Sequence, residues 1–324
     1  MGRPFTKGLH DLGNGCYAWI QPDGSWGFSN SGLITDCGES VLVDTLYDLA
    51  KTREMLAGYR TATAAAKNIG TLVNTHGNGD HYFGNQLVDA PRIIASRACV
   101  EDMKAKPPSH RAKELRDWRE LGDAGRFFYE NLGGKFDLEG IDLVLPTEVF
   151  ERTFSLSVGG KNIELHNVGP AHTGGDTLAY LPEERIVYTG DIIFAEAHPI
   201  IWRGPVSNWI RACDLMIDWG VEVVVPGHGP ISDLQAVRST KRYWEYLTEA
   251  VRKRFDAGMP ADEAYRDISL DEFRGWIDPE RIVVNVHSLY REFSGLGGSP
   301  NYFEMSAKML HFRNKLKEGG CHGH

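Results

Sequence analysis

No uncharged apolar run in the chain approaches the roughly 18 residues that a membrane-spanning helix requires. The opening stretch, MGRPFTKGLHDLGNG, contains no apolar core for a signal peptide. These absences predict a protein that neither spans a membrane nor is exported by that route. Cysteine is scarce: Cys16, Cys37, Cys99, Cys213 and Cys321 are five, an odd number, widely spread over 324 residues. Such usage excludes a disulfide framework and predicts a reduced, cytoplasmic setting. Basic residues are outnumbered, 35 Lys and Arg against 44 Asp and Glu, for a net charge of −9. Nucleic acid and anionic lipid are therefore excluded as partners. Repeats of fixed period are also missing, which excludes solenoids and propellers.

What remains is a balanced globular composition, 42% hydrophobic, 24% charged and 10% aromatic. Strand signals come first. Cys16 to Ile20, Trp26 to Thr35 and Ser40 to Asp44 are apolar or β-branched and are separated by Pro22-Asp23-Gly24 and Gly38-Glu39 turns. Thr45 and Asp48 form a capping signature before Leu46, Leu49, Leu56 and Ala57 at helical spacing. Further strands are expected at Thr71 to Thr75, Arg92 to Ala95, Ile163 to His166, Leu178 to Leu181, Arg185 to Tyr188 and Val221 to Val225. Residues 100–135 are charged and lack clear periodicity after Pro107-Pro108, which suggests a helical insertion or lid. Val206, Trp209, Ile210, Cys213 and Ile217 share one helical face. Beyond Pro230 the pattern is helical, with Ser232 and Gln235 as a capping box and a second helix starting at Asp278-Pro279.

Four segments each place polar residues directly after an apolar, strand-like run: LVNTHGNGDHYFGN (72–85), NVGPAHTGGDTLAY (167–180), IVYTGDIIF (186–194) and VVVPGHGP (223–230). They supply His76, Asp80, His81, His172, Asp191 and His228. Imidazole and carboxylate together are the donor set that zinc and similar divalent ions take. The flanking glycines let the backbone turn so that the side chains converge, and Gly77 and Gly79 place His76 and Asp80 on a loop. Any one of these histidines alone is more often an ordinary core or surface residue; the four segments together point to a metal site at strand ends.

In these segments the chain resembles the metallo-β-lactamase superfamily, whose pattern is His-x-His-x-Asp-His followed by single His, Asp and His ligands. The resemblance covers about residues 12–240. It implies a four-layered αββα sandwich, here over 1–240, with a C-terminal helical extension over 241–324 packed on the same domain. It further implies a first metal position formed by His76, residue 78 and His172, and a second formed by Asp80, His81 and His228, with Asp191 bridging. Residue 78 is Asn in place of His, and an amide oxygen is a weak ligand for zinc. The expectation is therefore one divalent ion, zinc with iron or manganese as alternatives, held by Asp80, His81, Asp191 and His228. His76, Asn78 and His172 then line a neighbouring, weaker position.

Such an ion supplies a hydroxide nucleophile near neutral pH, so the expected activity is hydrolysis by metal-bound hydroxide. Asp80 orients the attacking group, and His172 or His76 handles the proton of the leaving group. Tyr82, Phe83, Phe194 and Trp202 each follow a ligand closely and are expected to wall an apolar pocket, with Asn78 and His198 also touching substrate. Within the superfamily, QPDGSWGFSN, the altered metal loop and PIIWRGPVSNW are most similar to the branch of hydrolytic dehalogenases of chlorinated aromatic nitriles, related to hydrolases of nitroaromatic methyl ethers. That similarity implies a small, electron-poor aromatic substrate losing halide or an alkoxide. Esters, thioesters and lactones stay open, as does a metal-poor binding subunit of a hetero-oligomer; homo-oligomers and assembly with a related subunit are both compatible. Cys321, His322 and His324 form a second, C-terminal group of ligand-type residues.

Overall fold

The computed structural model describes residues 4–320, so Cys321, His322 and His324 lie outside the described residues. The first sheet contains β1 (Gly8–Gly13), β2 (Cys16–Ile20), β3 (Ser31–Asp36), β4 (Glu39–Val43), β5 (Thr71–Val73), β6 (Arg92–Ser96) and β7 (Glu148–Phe150), neighbours in that order. The second contains β8 (Thr153–Val158), β9 (Lys161–Asn167), β10 (Thr177–Leu181), β11 (Ile186–Tyr188) and β12 (Val223–Val225), also in chain order across the sheet. The helices are α1 (Leu49–Ala62), α2 (Gly79–Tyr82), α3 (Arg97–Ala105), α4 (Pro108–Arg116), α5 (Gly122–Leu132), α6 (Val206–Asp218), α7 (Leu234–Asp256), α8 (Ala261–Asp267), α9 (Ile282–Phe293) and α10 (Tyr302–Gly320).

Side-chain parity builds the layers. In β2 to β5, Ala18, Ile34, Val41 and Val73 point between the sheets, where they meet Leu165, Ala179, Ile186 and Val225 of the second sheet. Their neighbours of opposite parity, Trp19, Leu33, Leu42 and Leu72, turn outward onto Met55, Leu56 and Tyr59 of α1. On the other side Leu178, Val187 and Val224 pack against Trp209 and Met216 of α6 and Trp244 and Leu247 of α7. The result is helix, sheet, sheet, helix. Each fully buried Val, Leu or Ile side chain among them contributes about 1.5–3 kcal/mol of transfer free energy. Val283, Val286 and Leu289 of α9 and Met309 of α10 join the same cluster as α6 and α7. The C-terminal helices thus share the core of the second sheet, and the boundary expected at 240 falls inside α7.

Several local expectations require correction. Trp26 to Asn30 is not strand; Gly27 has φ +79° and the chain turns there, so that only Ser31 onward pairs. The caps lie beyond the Thr and Ser that looked suitable, three residues past Thr45 and one past Ser232. Asp48 accepts from the Lys51 amide at 2.7 Å, and Asp233 from the Gln235 amide at 2.7 Å. Asp80 and His81 lie on α2, a single helical turn entered from Asn78, where two glycines suggested only loop.

Candidate metal centre

All six expected ligands follow strands at one edge of the sandwich. His76, Asp80 and His81 come after β5, and Asp191 and His228 after β11 and β12; His172 lies between β9 and β10. The structure brings them together. Asp191 is central: its Oδ1 is 3.1 Å from His81 Nε2 and 3.5 Å from His228 Nε2. Its Oδ2 is 3.3 Å from His172 Nε2 and 3.7 Å from His76 Nε2. Asp80 Oδ2 closes the first set, 3.3 Å from His228 Nε2 and 3.9 Å from His81 Nε2. The backbone is cut to fit the carboxylate, since a Cβ at Gly227 would lie 2.1 Å from Asp191 Oδ1.

The orientation of each imidazole follows from its outer nitrogen. His81 donates Nδ1–H to Asp44 Oδ2 at 2.9 Å, and His172 donates Nδ1–H to the Ile200 carbonyl at 2.7 Å. His228 donates Nδ1–H to the Gly24 carbonyl at 3.1 Å. The Thr75 hydroxyl donates to Asp44 at 2.6 Å, so its oxygen accepts the Nδ1–H of His76 at 3.0 Å. In each ring the outer nitrogen is the donor and Nε2 is the atom that points inward. His76 Nε2, His81 Nε2 and Asp191 Oδ1 are buried with no hydrogen-bond partner among the described residues.

Lone pairs facing carboxylates repel unless positive charge lies between them, and the protonation behaviour reports that demand. Burial alone would raise the Asp80 carboxyl, but His81 and His228 hold it at about 2. Asp191 is likewise driven well below the usual range against its burial, by His228, His81 and His76. Conversely, Asp191 outweighs burial and lifts His228 to about 9. The orphaned nitrogens, the ionised carboxylates and the ligand-type groups His76–His81–Asp191 and Asp80–His81–His228, each with donor atoms within 4.8 Å, all fit a divalent cation.

Asn78 departs from this pattern. Its amide nitrogen lies 2.8 Å from His172 Nε2. Because His172 Nδ1 is the donor to Ile200, Nε2 accepts here, and the lone pair that would face a second ion is taken.

The ligand cluster forms one side of a cavity of ≈ 370 Å³. Asn78, Asp80, His172, Asp191 and His228 line it, together with Phe83, Phe194 and Trp202. Phe194 stacks on His228 at 5.2 Å and meets His172 edge-on at 5.7 Å. Two expected substrate residues are placed elsewhere. Tyr82 is buried and donates its hydroxyl to the Lys106 carbonyl at 2.9 Å, because the turn of α2 aims it away from the cavity. His198 is enclosed by Tyr243, Phe273 and Trp276, and burial, reinforced by Arg281, pushes its ring down to about 3. Its carbonyl accepts from Arg281 at 2.8 Å, and that guanidinium lies over the Trp26 and Phe194 rings. His76 and His81 lie beneath the lining.

Sequence reading missed Asp44, which carries His81 and Thr75; an aspartate ending the apolar run VLVD was its only signal. It also missed Tyr47, Arg111, Phe127, Phe128 and Tyr302 of the cavity wall. The 100–135 segment supplies much of that wall through α3, α4 and α5.

A family model described as the metallo-beta-lactamase superfamily matches residues 24–228. Among curated relatives, the 2,4-dinitroanisole O-demethylase subunit alpha of Nocardioides sp. (strain JS1661) is 24% identical over 270 residues, 80% of this chain and 64% of that protein. A beta-lactamase-like protein 2 homolog of Caenorhabditis elegans is 23% identical over 69% of this chain and 63% of its own length. The chain thus spans a little under two thirds of the curated relatives it matches. Among solved structures, the sec-alkylsulfatase Pisa1 from Pseudomonas sp. superposes with a TM-score of 0.67 at 15% identity, covering 89% of this chain and 50% of that one. A metallo-beta-lactamase from Pontibacter korlensis gives 0.52 at 19% identity, covering 73% and 98%.

Proposed function

The chain belongs to the metallo-β-lactamase superfamily, and from that premise we propose that it is a metal-dependent hydrolase that uses one zinc ion to hydrolyse a small, electron-poor aromatic substrate. The observation that carries this reading is the ligand cluster set into an aromatic-walled cavity of ≈ 370 Å³, a size at the lower end for small-molecule sites. The O-demethylase relative supports an ether of a nitroaromatic ring as the bond broken, with a ring halide as the alternative leaving group.

Asp80, His81, Asp191 Oδ1 and His228 would hold the ion. When bound, it supplies a nucleophile from water near neutral pH and a Lewis acid for the electrophile. The other residues do the rest. His172 lines the cavity whereas His76 does not, so His172 is the group placed to move the proton at the reacting centre, its Nε2 exchanging the Asn78 amide for the reacting group as it does so. Asn78 holds the His172 ring through its 2.8 Å hydrogen bond. Phe194, pressed on two of the imidazoles, and Trp202 exclude water from one side of the substrate. The buried bare nitrogens favour an ion-holding chain over a metal-poor binding subunit. The relative's designation as an alpha subunit supports assembly of this chain with itself or a related subunit, tested by a solution mass above 36.1 kDa. Cys16, Cys37, Cys99 and Cys213 are unpaired, which supports a reducing, cytoplasmic setting.

Elemental analysis paired with turnover of a 2,4-dinitroanisole, a chloronitroarene, an aryl ester, a thioester and a lactone tests the whole reading. About one zinc per chain with methanol or chloride released is expected. His172→Ala should lose about a hundredfold or more in turnover with metal content kept. Two ions per chain with only ester, thioester or lactone cleavage would overturn it.

A further inference from the structure

Lys106 follows α3, Arg111 lies in α4 and Tyr302 opens α10, yet all three line the same cavity as the ligand cluster. Lys106 Nζ sits 4.5 Å from the centre of the Tyr302 ring and the Arg111 guanidinium 5.1 Å from it. Arg111 also lies 5.2 Å from the Phe128 ring, and Phe128 and Tyr302 are stacked at 5.2 Å and 18°. Two cations therefore rest on two stacked rings. Ring faces position a cation without neutralising it.

Charge on this wall is not balanced. Arg203 pairs with Asp102 at 3.1 Å and Arg281 with Asp278 at 2.8 Å. Arg111 pairs with Glu114 at 2.7 Å, a bond that leaves other donors of its guanidinium fork for a ligand. Among the described residues, Lys106 alone of the cavity's Lys and Arg side chains has no carboxylate partner. The wall thus offers two positive charges against one negative. The carboxylates facing it, Asp80 and Asp191, belong to the ligand cluster. An acceptor placed in this cavity is attracted to the Lys106–Arg111 side and held there by charge-assisted hydrogen bonds.

We propose that Lys106 and Arg111, seated on Tyr302, form a specificity subsite for an oxygen-rich acceptor substituent, nitro or carboxylate, on the substrate ring. Binding of that group turns the remainder of the ring toward Asp80 and His172. The inference deepens the aromatic-substrate reading and rests on it. It also explains why a helical insertion and the C-terminal helix converge on a metal-centre cavity: they carry the groups that recognise the substituent.

Equilibrium dialysis of the full chain with three unreactive probes tests this: 4-methylbenzoate, 4-nitrotoluene and p-xylene. Lys106→Met should weaken one or both acceptor probes by about three- to tenfold and leave p-xylene unchanged. Arg111→Met should do the same where it folds. Lys104→Met, whose lysine pairs with Glu101 outside the cavity, should change none. Whichever acceptor probe responds identifies the substituent. Equal weakening of p-xylene, or acceptor binding indifferent to Lys106, overturns the subsite even if nitroarenes are turned over. If no nitroarene is hydrolysed but the dialysis pattern holds, the subsite stands and the proposed reaction fails.

Discussion

Asp44, in the left-handed region at φ +60°, accepts the Thr75 amide at 2.7 Å on one oxygen and the Thr75 hydroxyl and His81 Nδ1–H on the other. Asp44→Asn would set an amide N–H against the Nδ1–H of His81, and the ring would relieve the conflict by moving its proton to Nε2, the atom needed for metal. Metal affinity should fall by about 10- to 100-fold, measured by competition with a chromogenic chelator; unchanged affinity would show that the ring is oriented by something else. Asn78 makes the opposite case. Its amide caps His172 Nε2, so Asn78→His should restore a third imidazole to that side and raise the zinc content from one toward two per chain. A variant that still holds one ion would mean that the amide is not what limits the second position. The six candidate ligand residues were legible as a set because each lies in a glycine-containing segment that directly follows an apolar run. Asp44 was not, since nothing in sequence separates an aspartate that orients a ligand from one that ends a strand.

Strand parity reads well because burial between two sheets and against a helix leaves every second side chain committed, as with Leu33 outward and Ile34 inward in β3. The segment from Trp26 to Asn30 was misread because its aromatics satisfy strand propensity while filling the cavity wall and a cluster with Phe136. The helices of 97–132 show what an insertion does in this fold. Asp102 of α3 accepts the Gly174 amide at 2.8 Å and Arg203 at 3.1 Å, which ties the insertion to the loop carrying His172. Removing that carboxylate with Asp102→Ala costs about 1.5–3 kcal/mol, or about 2–5 °C in Tm for a chain of this length. The substrate KM should rise several-fold while zinc content stays constant. An unchanged KM alongside the lowered Tm would show that α3 stabilises the fold without shaping the cavity.

Across the whole molecule, the ligand cluster joins the two sheets at one edge. His76, Asp80 and His81 hang from the first sheet, and His172, Asp191 and His228 from the second. An ion shared between them is a cross-link as well as a reagent, so chelation has a structural consequence that activity alone would not reveal. An ion present at 100 to 1,000 times its Kd stabilises the folded state by about 2.7–4.1 kcal/mol. With an unfolding entropy of about 2.1 cal/mol/K per residue, its removal should lower Tm by about 4–6 °C. Hydrogen exchange gives the location: amides in 74–82, 168–176 and 226–230 should speed up on chelation, while α7 and α9, packed in the core beyond the second sheet, should not. Because both carboxylates and the histidine nitrogens would then face one another without a cation, the opening is expected at that edge first, before the interior of the sandwich. A Tm and exchange pattern unaffected by complete metal removal would mean that hydrogen bonds such as those from Asn30 to the Pro226 and Gly229 carbonyls, at 3.0 and 2.9 Å, suffice to hold the sheets together there.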